Sequence, residues 1–403
     1  MLWRYALFSG SLGMAGLPIY IHAPKYFVER YEISLASLGL ALLFLRSIDF
    51  FQDPLLGRLA SSTSRLGFVT VWIATFLMCV GMILLFAVPA VTSPILWFSM
   101  SLMILFSGFS FAYIRLYALG VEAFGMAAQI KIAKWREAGT LLGICVAAIA
   151  PTILSINGLN GYKNFAFLFC FLIIIATAIM APDFSKKFAY TDKGKTSLFP
   201  KDVSLQRLLL FVFLNAMPVA VTSTLYLFYV DHVLDLEVVG GPLLILFFLS
   251  AAFSAPLWTR LAEYYGALLV LKLSMLVSIF SFVWAYNLNS GDVIAFSIIC
   301  FATGLSLGAD MTILPAIFAK RLAKINHDAN MGFGIWNFSN KLALAVTAGV
   351  LLPLMEFVGF ETQNMRSNLS REILIISYAI VPCALKILAL FWLQNLMKRD
   401  KNL

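Results

Sequence analysis

Long apolar runs separated by short polar breaks extend along the whole chain. Each run has about the length of the roughly 20 apolar residues that a helix needs to cross a bilayer. The pattern therefore predicts an all-α membrane protein with twelve transmembrane helices. The predicted spans are residues 5–25, 34–57, 67–88, 94–121, 131–155, 162–181, 204–229, 238–258, 267–287, 291–318, 331–355 and 373–396.

The composition supports this interpretation and argues against a soluble enzyme. Of the 403 residues, 61% are hydrophobic and 12% are charged, whereas a soluble domain carries about 25% charged residues. The five cysteines and three histidines lack the spacing of a metal site. A membrane-embedded enzyme acting on lipid would need a motif such as a phosphate-binding loop or HExxH, and none is present in the sequence. We therefore expect no enzyme activity, no metal centre and no cofactor beyond a coupling ion, Na⁺ or H⁺.

Lysine and arginine are distributed unevenly between alternate loops, which explains the net charge of +9 without a nucleic-acid partner. If the N-terminus is cytoplasmic, the loops on that side hold most of the basic residues, from Arg58 and Arg65 to Lys398 in the tail. This distribution follows the positive-inside rule. We predict a multi-pass inner-membrane protein with both termini in the cytoplasm, monomeric by default, whose partners are the lipid bilayer and a small-molecule substrate.

The longest polar stretch, residues 183–203, falls in the middle of the chain. We interpret this stretch as a cytoplasmic linker. It would join two six-helix bundles, an N-terminal bundle of residues 1–182 and a C-terminal bundle of residues 204–403.

A repeat at one shared offset relates the two halves. Pro-Leu-Leu-Gly-Arg-Leu-Ala at residues 54–60 is similar to Pro-Leu-Trp-Thr-Arg-Leu-Ala at residues 256–262. The offset is 202 positions (256 − 54), and Pro151 and Pro353 have the same separation (353 − 151). Parallel six-helix repeats are the arrangement of the major facilitator architecture. The repeat therefore predicts the major facilitator fold and a secondary transporter.

Charged residues in the second span are the first candidates for a functional site, because a charge at mid-bilayer costs at least about 2.5–3.5 kcal/mol. Arg46, Asp49 and Asp53 are spaced i, i+3 and i+7 and share one helical face. Two ionised carboxylates four residues apart repel each other unless a proton or a cation neutralises them. The pair can therefore bind Na⁺ or exchange H⁺, and Gln52 could add a carbonyl oxygen. The alternative is a structural Arg46–Asp49 pair, with Asp53 capping the cytoplasmic end of the helix.

Three basic residues in other spans are further candidates. Arg115 in the fourth span needs a partner, for which Asp49 or Asp53 is expected, either as a gate pair or within a ligand site. Arg136 at the start of the fifth span faces a substrate cavity or extends to the interface. Lys341 lies about ten residues into the eleventh span, where it could pair with a carboxylate of the second span.

Four more residues complete the candidate set. Tyr113 and Trp336 lie next to the proposed polar cavity and could stack on a sugar-like ligand, or they could belong to the interfacial aromatic belt. Asp310 and Lys386 are secondary candidates, and Lys386 could simply reach a lipid headgroup.

The second span resembles the helix-two signature of the glycoside–pentoside–hexuronide:cation symporters, a family of the major facilitator superfamily. The resemblance extends to the starts of the fifth and eleventh spans. The residues that carry it are Asp49, Asp53, Pro54, Gly57, Ser64, Arg65 and Gly67, then Trp135-Arg136-Glu137, and then Trp336-Asn337 ahead of Lys341.

The resemblance implies a cation site at Asp49 and Asp53, completed by Gln52 and Ser110. It also implies that Arg136 lines the sugar site and that a lysine, here Lys341, links the two sites. Sugar-binding members carry acids in helices one and four. Residues 10–18 of this chain contain no acid, and Tyr113 occupies the helix-four position. Because the animal branch of the family moves lysophospholipid, the resemblance does not identify the substrate.

These features predict cation-coupled symport of a small solute, with a sugar or glycoside among the candidates, by alternating access. An uncoupled uniporter or exporter of the same fold is the alternative, as is a transporter of an amphiphilic or lipid-like substrate.

Overall fold

The computed structural model of the chain is almost entirely helical. It describes residues 2–33, 35–124, 128–155, 160–185, 202–236, 239–357, 360–361, 364–365 and 368–399. In the first half, the α-helices are α1 (Leu2–Ala15), α2 (Leu17–Tyr31), α3 (Leu35–Ser62), α4 (Gly67–Phe86), α5 (Pro94–Phe124), α6 (Gln129–Ile153) and α7 (Gly161–Phe184), with a 3-10 helix at Ser64–Leu66.

The second half continues with further long helices. These are α8 (Val203–His232), α9 (Gly240–Tyr265), α10 (Ala267–Phe282), α11 (Val293–Lys324), α12 (Ala329–Phe357), α13 (Asn368–Ile375) and α14 (Val381–Arg399). A 3-10 helix at Val283–Asn287 follows α10, and a π-helical segment at Ile376–Ile380 joins α13 to α14. The strands β1 (Phe360–Glu361) and β2 (Asn364–Met365) pair antiparallel.

Nine helical stretches in the described part of the chain are long and apolar enough to cross a membrane. They are Ser64–Phe86, Pro94–Phe124, Gln129–Ile153, Gly161–Phe184, Val203–His232, Gly240–Tyr265, Ala267–Asn287, Val293–Lys324 and Arg371–Lys398. Together with α1–α2, α3 and α12, they account for the twelve predicted spans. Large apolar side chains such as Phe253 (75% exposed) face outwards on these helices, which suits contact with lipid rather than water. The prediction of an all-α membrane protein is confirmed.

The first predicted span is two helices rather than one. The break falls at Gly16, and Pro18 occupies the first turn of α2. Proline is favoured there because its missing N–H would have no partner within the helix. The apolar run continues across the break, so hydropathy alone does not reveal it.

The chain forms two compact units. The first unit contains residues 1–201 and 319–338, and the second contains residues 202–318 and 339–403. The predicted linker, residues 183–203, lies mostly outside the described residues. Its role as a linker and the bundle boundaries that depend on it stay predictions.

Small residues allow the helices of the first unit to pack backbone to backbone. A Cβ added to Gly143 of α6 would lie 1.9 Å from the carbonyl oxygen of Gly10 in α1, and one added to Gly139 would lie 2.1 Å from that of Ala6. The Ser9 hydroxyl donates across the same crossing to the Arg136 carbonyl at 2.7 Å. Close helix crossings of this kind are typical of membrane proteins. This crossing sets the position of Arg136.

The second unit combines an aromatic core with a second close helix crossing. Tyr229 of α8 stacks on Tyr378 with ring centroids 4.0 Å apart, and its hydroxyl donates to the Ala285 carbonyl. In the helix crossing, a Cβ added to Gly304 of α11 would lie 2.3 Å from the backbone carbonyl oxygen of Phe247 in α9. Bulkier residues at Gly304 would therefore force α9 and α11 apart.

Candidate functional site

Polar side chains of α3 and α5 form one oxygen-rich cluster, in which Asp49 and Ser110 are buried and Gln52 and Ser107 are partly buried. Gln52 Nε2 donates to Asp49 Oδ1 at 2.8 Å, and Ser110 Oγ approaches the same oxygen at 3.5 Å. Ser107 Oγ donates to Gln52 Oε1 at 3.0 Å. Three of the four predicted cation-site residues therefore lie together. Ser107 was not predicted, although its spacing of three residues from Ser110 places both on one face of α5.

Asp53 is the fourth predicted cation-site residue and lies one helical turn beyond Asp49 on α3. Its side chain is fully buried, and Asp49 is 7% exposed. Pro54 follows within the helix and cannot donate a hydrogen bond to the Phe50 carbonyl. This segment of α3 therefore concentrates oxygen atoms in a buried environment.

The start of α12 crosses α3 at a pair of glycines within the first unit. A Cβ added to Gly57 would lie 2.8 Å from the Asn330 carbonyl oxygen and 3.1 Å from Gly334 Cα. A Cβ added to Gly334 would in turn lie 2.8 Å from the Asp53 carbonyl oxygen. The two backbones are in contact here, four residues beyond the Asp53 carboxylate. This contact explains why position 57 carries a glycine.

Hydrogen bonds surround this glycine crossing. Arg115 Nη1 donates to Asn330 Oδ1 at 2.8 Å, and Asn330 Nδ2 donates to Glu122 at 3.3 Å. Ser61 Oγ donates to Asp328 Oδ2 at 2.8 Å. Side chains of α3 and α5 thus bind Asp328 and Asn330, at the start of α12, through three hydrogen bonds.

The partner of Arg115 differs from the one that we predicted. We expected Asp49 or Asp53, whereas the guanidinium group bonds to Asn330. Sequence reasoning missed Asn330 because it lies 215 positions away and carries no charge to mark it. The guanidinium also packs against Gly67, where an added Cβ would lie 2.7 Å from Arg115 Nη2. This packing gives a structural reason for the last glycine of the helix-two motif.

Arg136 lies in a buried cluster with two aromatic residues and an acid. Its Nε donates to Glu137 Oε1 at 2.8 Å, and its guanidinium carbon lies 3.4 Å from the centre of the Tyr117 ring. The Tyr117 hydroxyl donates to the same Glu137 oxygen, and Tyr113 stacks on Tyr117 at 4.2 Å. Arg136 is therefore buried, and the interfacial alternative is excluded. Among the described residues, Arg136 Nη2 has no hydrogen-bond partner.

The remaining predicted residues have separate positions. Trp336 is buried and meets Phe333 edge to face at 6.3 Å, and Phe333 contacts Tyr117 at 5.0 Å. Lys341 is partly buried and belongs to the second unit, so its pairing with a carboxylate of α3 stays a prediction. Arg46 lies in α3, but its side chain is outside the described residues.

The two secondary candidates lie together in the second unit. Lys386 Nζ contacts Asp310 Oδ2 at 2.5 Å, and the lysine is 4% exposed. The alternative in which Lys386 only reaches a lipid headgroup is therefore excluded, because a buried acid partner holds its ammonium group inside the unit.

Comparisons with known proteins identify the family. Residues 8–397 match the family described as MFS/sugar transport protein. A bacterial homologue of the iron transporter ferroportin, in an outward-facing crystal structure, is 15% identical with a TM-score of 0.72 over 99% of this chain and 100% of that one. A second crystal structure of a bacterial ferroportin homologue, outward-facing and soaked with iron, is 14% identical with a TM-score of 0.71 at the same coverage. Comparison with curated proteins gave no match.

The family match and the structural likeness together confirm the predicted major facilitator fold, since both extend over nearly the whole chain. At this level of identity, the structural likeness supports the fold alone. The match over residues 8–397 goes further and identifies a multi-pass membrane transporter rather than an enzyme. The chain therefore belongs to the MFS/sugar transport protein family within the major facilitator superfamily.

Proposed function

We propose that this transporter couples the movement of a small solute to Na⁺ or H⁺ at the oxygen cluster of α3 and α5. The observation that carries the proposal is the burial of Asp49 and Asp53 one turn apart on α3. Two ionised carboxylates at this spacing repel each other, and burial strengthens the repulsion. A bound cation or proton removes this repulsion, so binding of the ion stabilises the arrangement of α3 in which the two carboxylates are buried together.

The donor set suits a hard cation, which prefers oxygen ligands. Gln52 Nε2 and Ser110 Oγ already lie within 3.5 Å of the same oxygen atom, Asp49 Oδ1. Rotation of the Gln52 amide would replace its Nε2 donor by the oxygen that a cation requires. Ser107 would then be released from Gln52 Oε1 and could join the ligands.

The glycine crossing of α3 and α12 is the gate in this proposal. Asp53 belongs to the same stretch of α3 as Gly57, and its own carbonyl oxygen touches the crossing. Neutralisation of Asp53 would change the electrostatic field at the crossing. The bonds from Arg115 to Asn330 and from Ser61 to Asp328 would break when the gate opens. On the predicted orientation, with both termini in the cytoplasm of an inner membrane, the gate is cytoplasmic.

Solute recognition is proposed for the Arg136 cluster. Arg136 Nη2 can donate to an oxygen of the solute, since no described residue accepts from it. The stacked rings of Tyr113 and Tyr117 offer an aromatic surface of the kind that packs against the apolar face of a sugar. A sugar or glycoside fits both features, and the family's description names sugar transport.

Stability measurements on the purified protein test the coupling without knowledge of the solute. If the coupling ion is Na⁺, NaCl should raise the melting temperature above that in choline chloride at equal ionic strength, because a ligand that binds the folded state stabilises it. Asp49→Asn and Asp53→Asn should each abolish the difference. Asp183→Asn is the matched control, since Asp183 is equally buried but pairs with Arg4 in the same unit.

The possible outcomes separate the candidate functions. A sodium effect lost in both α3 variants and kept in Asp183→Asn supports Na⁺ coupling. If pH and not sodium changes the melting temperature, and this change is lost in both α3 variants and kept in Asp183→Asn, the result supports H⁺ coupling. An uncoupled uniporter or exporter would respond to neither ion, and an undiminished response in Asp53→Asn would refute the assignment of the site.

A further inference from the structure

A small cavity lies inside the second unit. Its volume is about 60 Å³, which is room for about two water molecules. Helices α8, α9, α10, α11 and α14 all contribute to its wall. The lining residues Thr222, Phe247 and Phe282 are partly exposed, so the cavity opens to the outside of the unit.

A buried ion pair forms the polar side of the cavity. Lys386 Nζ contacts Asp310 Oδ2 at 2.5 Å and donates to Asn215 Oδ1 at 2.8 Å. The side chains of the lysine and the aspartate are only 5% and 10% exposed. Among the described residues that line the cavity, these two carry a charge. The site therefore has no net charge.

The cavity wall offers hydrogen-bond acceptors. Asp310 Oδ1 is buried and accepts no hydrogen bond from the described residues. The hydroxyls of Thr303 and Ser306 already donate to the carbonyls of Ile299 and Ser274, at 2.7 and 2.6 Å. These two hydroxyl oxygens can therefore act only as hydrogen-bond acceptors towards a ligand in the cavity. A ligand for this site must supply a donor to Asp310 Oδ1.

We propose that this cavity binds the hydroxyl end of a neutral polyhydroxylated solute. A hydroxyl can donate to Asp310 Oδ1 and accept the third hydrogen of the Lys386 ammonium group, and it leaves the neutral pair neutral. A charged ligand would add an uncompensated charge in a buried site, which is costly. Phe247 and Phe282 provide apolar surface for the carbon side of the solute.

The inference extends the proposed transport function, on which its physiological meaning rests, by a second solute site. The alternative is a purely structural ion pair with water in the cavity. Such a pair would stabilise the fold without favouring any solute.

Binding of matched solutes to the purified full-length protein in nanodiscs tests the proposal. The probes are the neutral glucose and sorbitol, the anionic gluconate and the cationic glucosamine, measured by calorimetry. We expect glucose or sorbitol to bind the wild type and the charged analogues to bind at least tenfold more weakly. The double variant Asp310→Asn/Lys386→Met should bind the neutral solute about tenfold to a hundredfold more weakly, as expected for loss of a charge-assisted hydrogen bond.

The double variant is expected to fold, because replacing both partners of a buried pair is often tolerated whereas removing one is not. Asp183→Asn, which breaks the pair between the buried Asp183 and the partly exposed Arg4 in the first unit, is the control and should keep neutral-solute binding. If the single variants fold, Asp310→Asn should gain affinity for gluconate and Lys386→Met for glucosamine.

Two results would overturn the proposal. One is binding of none of the four probes to the wild type, which leaves water as the occupant. The other is equal binding to the wild type and the double variant. The sodium response of the same preparations separates this proposal from cation coupling. Lost solute binding with the sodium or pH response intact concerns the cavity alone. The absence of both a sodium response and a pH response in the wild type refutes the coupling alone.

Discussion

Substitution of Gly57 by alanine tests the crossing of α3 and α12 directly. The added Cβ would lie 2.8 Å from the Asn330 carbonyl oxygen, about 0.6 Å inside the 3.4 Å at which ordinary contacts begin. The opposing atoms are backbone and cannot turn aside as a side chain would. Overpacking of this kind costs about 1–3 kcal/mol. If this free energy destabilises only the state in which α3 and α12 are in contact, the population of that state relative to an open state drops by about 5- to 150-fold.

A disulfide trap can measure how often the crossing is closed. Ser61 and Asp328 are joined by a hydrogen bond of 2.8 Å, so cysteines at both positions should cross-link rapidly when the crossing is closed. The natural cysteines are all buried and should not interfere. We expect Gly57→Ala to slow cross-linking in membranes at least fivefold, because α12 must move away from α3.

Gly39→Ala is the matched control on the same helix, since a Cβ there meets nothing within 4 Å. It should cross-link at the rate of the parent double-cysteine protein. Equal cross-linking rates in Gly57→Ala and Gly39→Ala would refute the view that close backbone contact holds the crossing together.

Two further substitutions test the packing of the first unit. Gly143→Ala should lower the melting temperature by several degrees or prevent folding, because its Cβ would lie 1.9 Å from the carbonyl oxygen of Gly10. Gly241→Ala is the control, since its Cβ would meet nothing within 4 Å, and its melting temperature should equal that of the wild type. Equal melting temperatures of the two variants would contradict the proposed packing. Asn330→Leu should destabilise the protein by about 1–3 kcal/mol, because it leaves the buried guanidinium of Arg115 without its acceptor. Asn330→Asp keeps an acceptor and should unfold at a higher denaturant concentration than Asn330→Leu, and the reverse order would show that Arg115 does not depend on this bond.

Much of the architecture could be predicted from the chain alone. Because no water is available inside the bilayer, a spanning segment must satisfy its own backbone hydrogen bonds, so an apolar run of sufficient length becomes a helix whatever its neighbours are. Because this segment had to be a helix, the spacing of four residues already placed Asp49 and Asp53 on one face. The break at Gly16 was missed because it interrupts no apolar run.

The pairing of side chains was decided only by the tertiary structure. Arg115 binds Asn330 rather than an acid of α3, and Lys386 binds Asp310 rather than a headgroup. These partners lie 215 and 76 positions apart. Sequence identifies a buried charge that needs a partner, because desolvation makes an unpaired charge costly. Which partner it receives depends on how helices distant in the chain cross, and those crossings are set by packing at positions such as Gly57 and Gly334, whose spacing in sequence carries no signal.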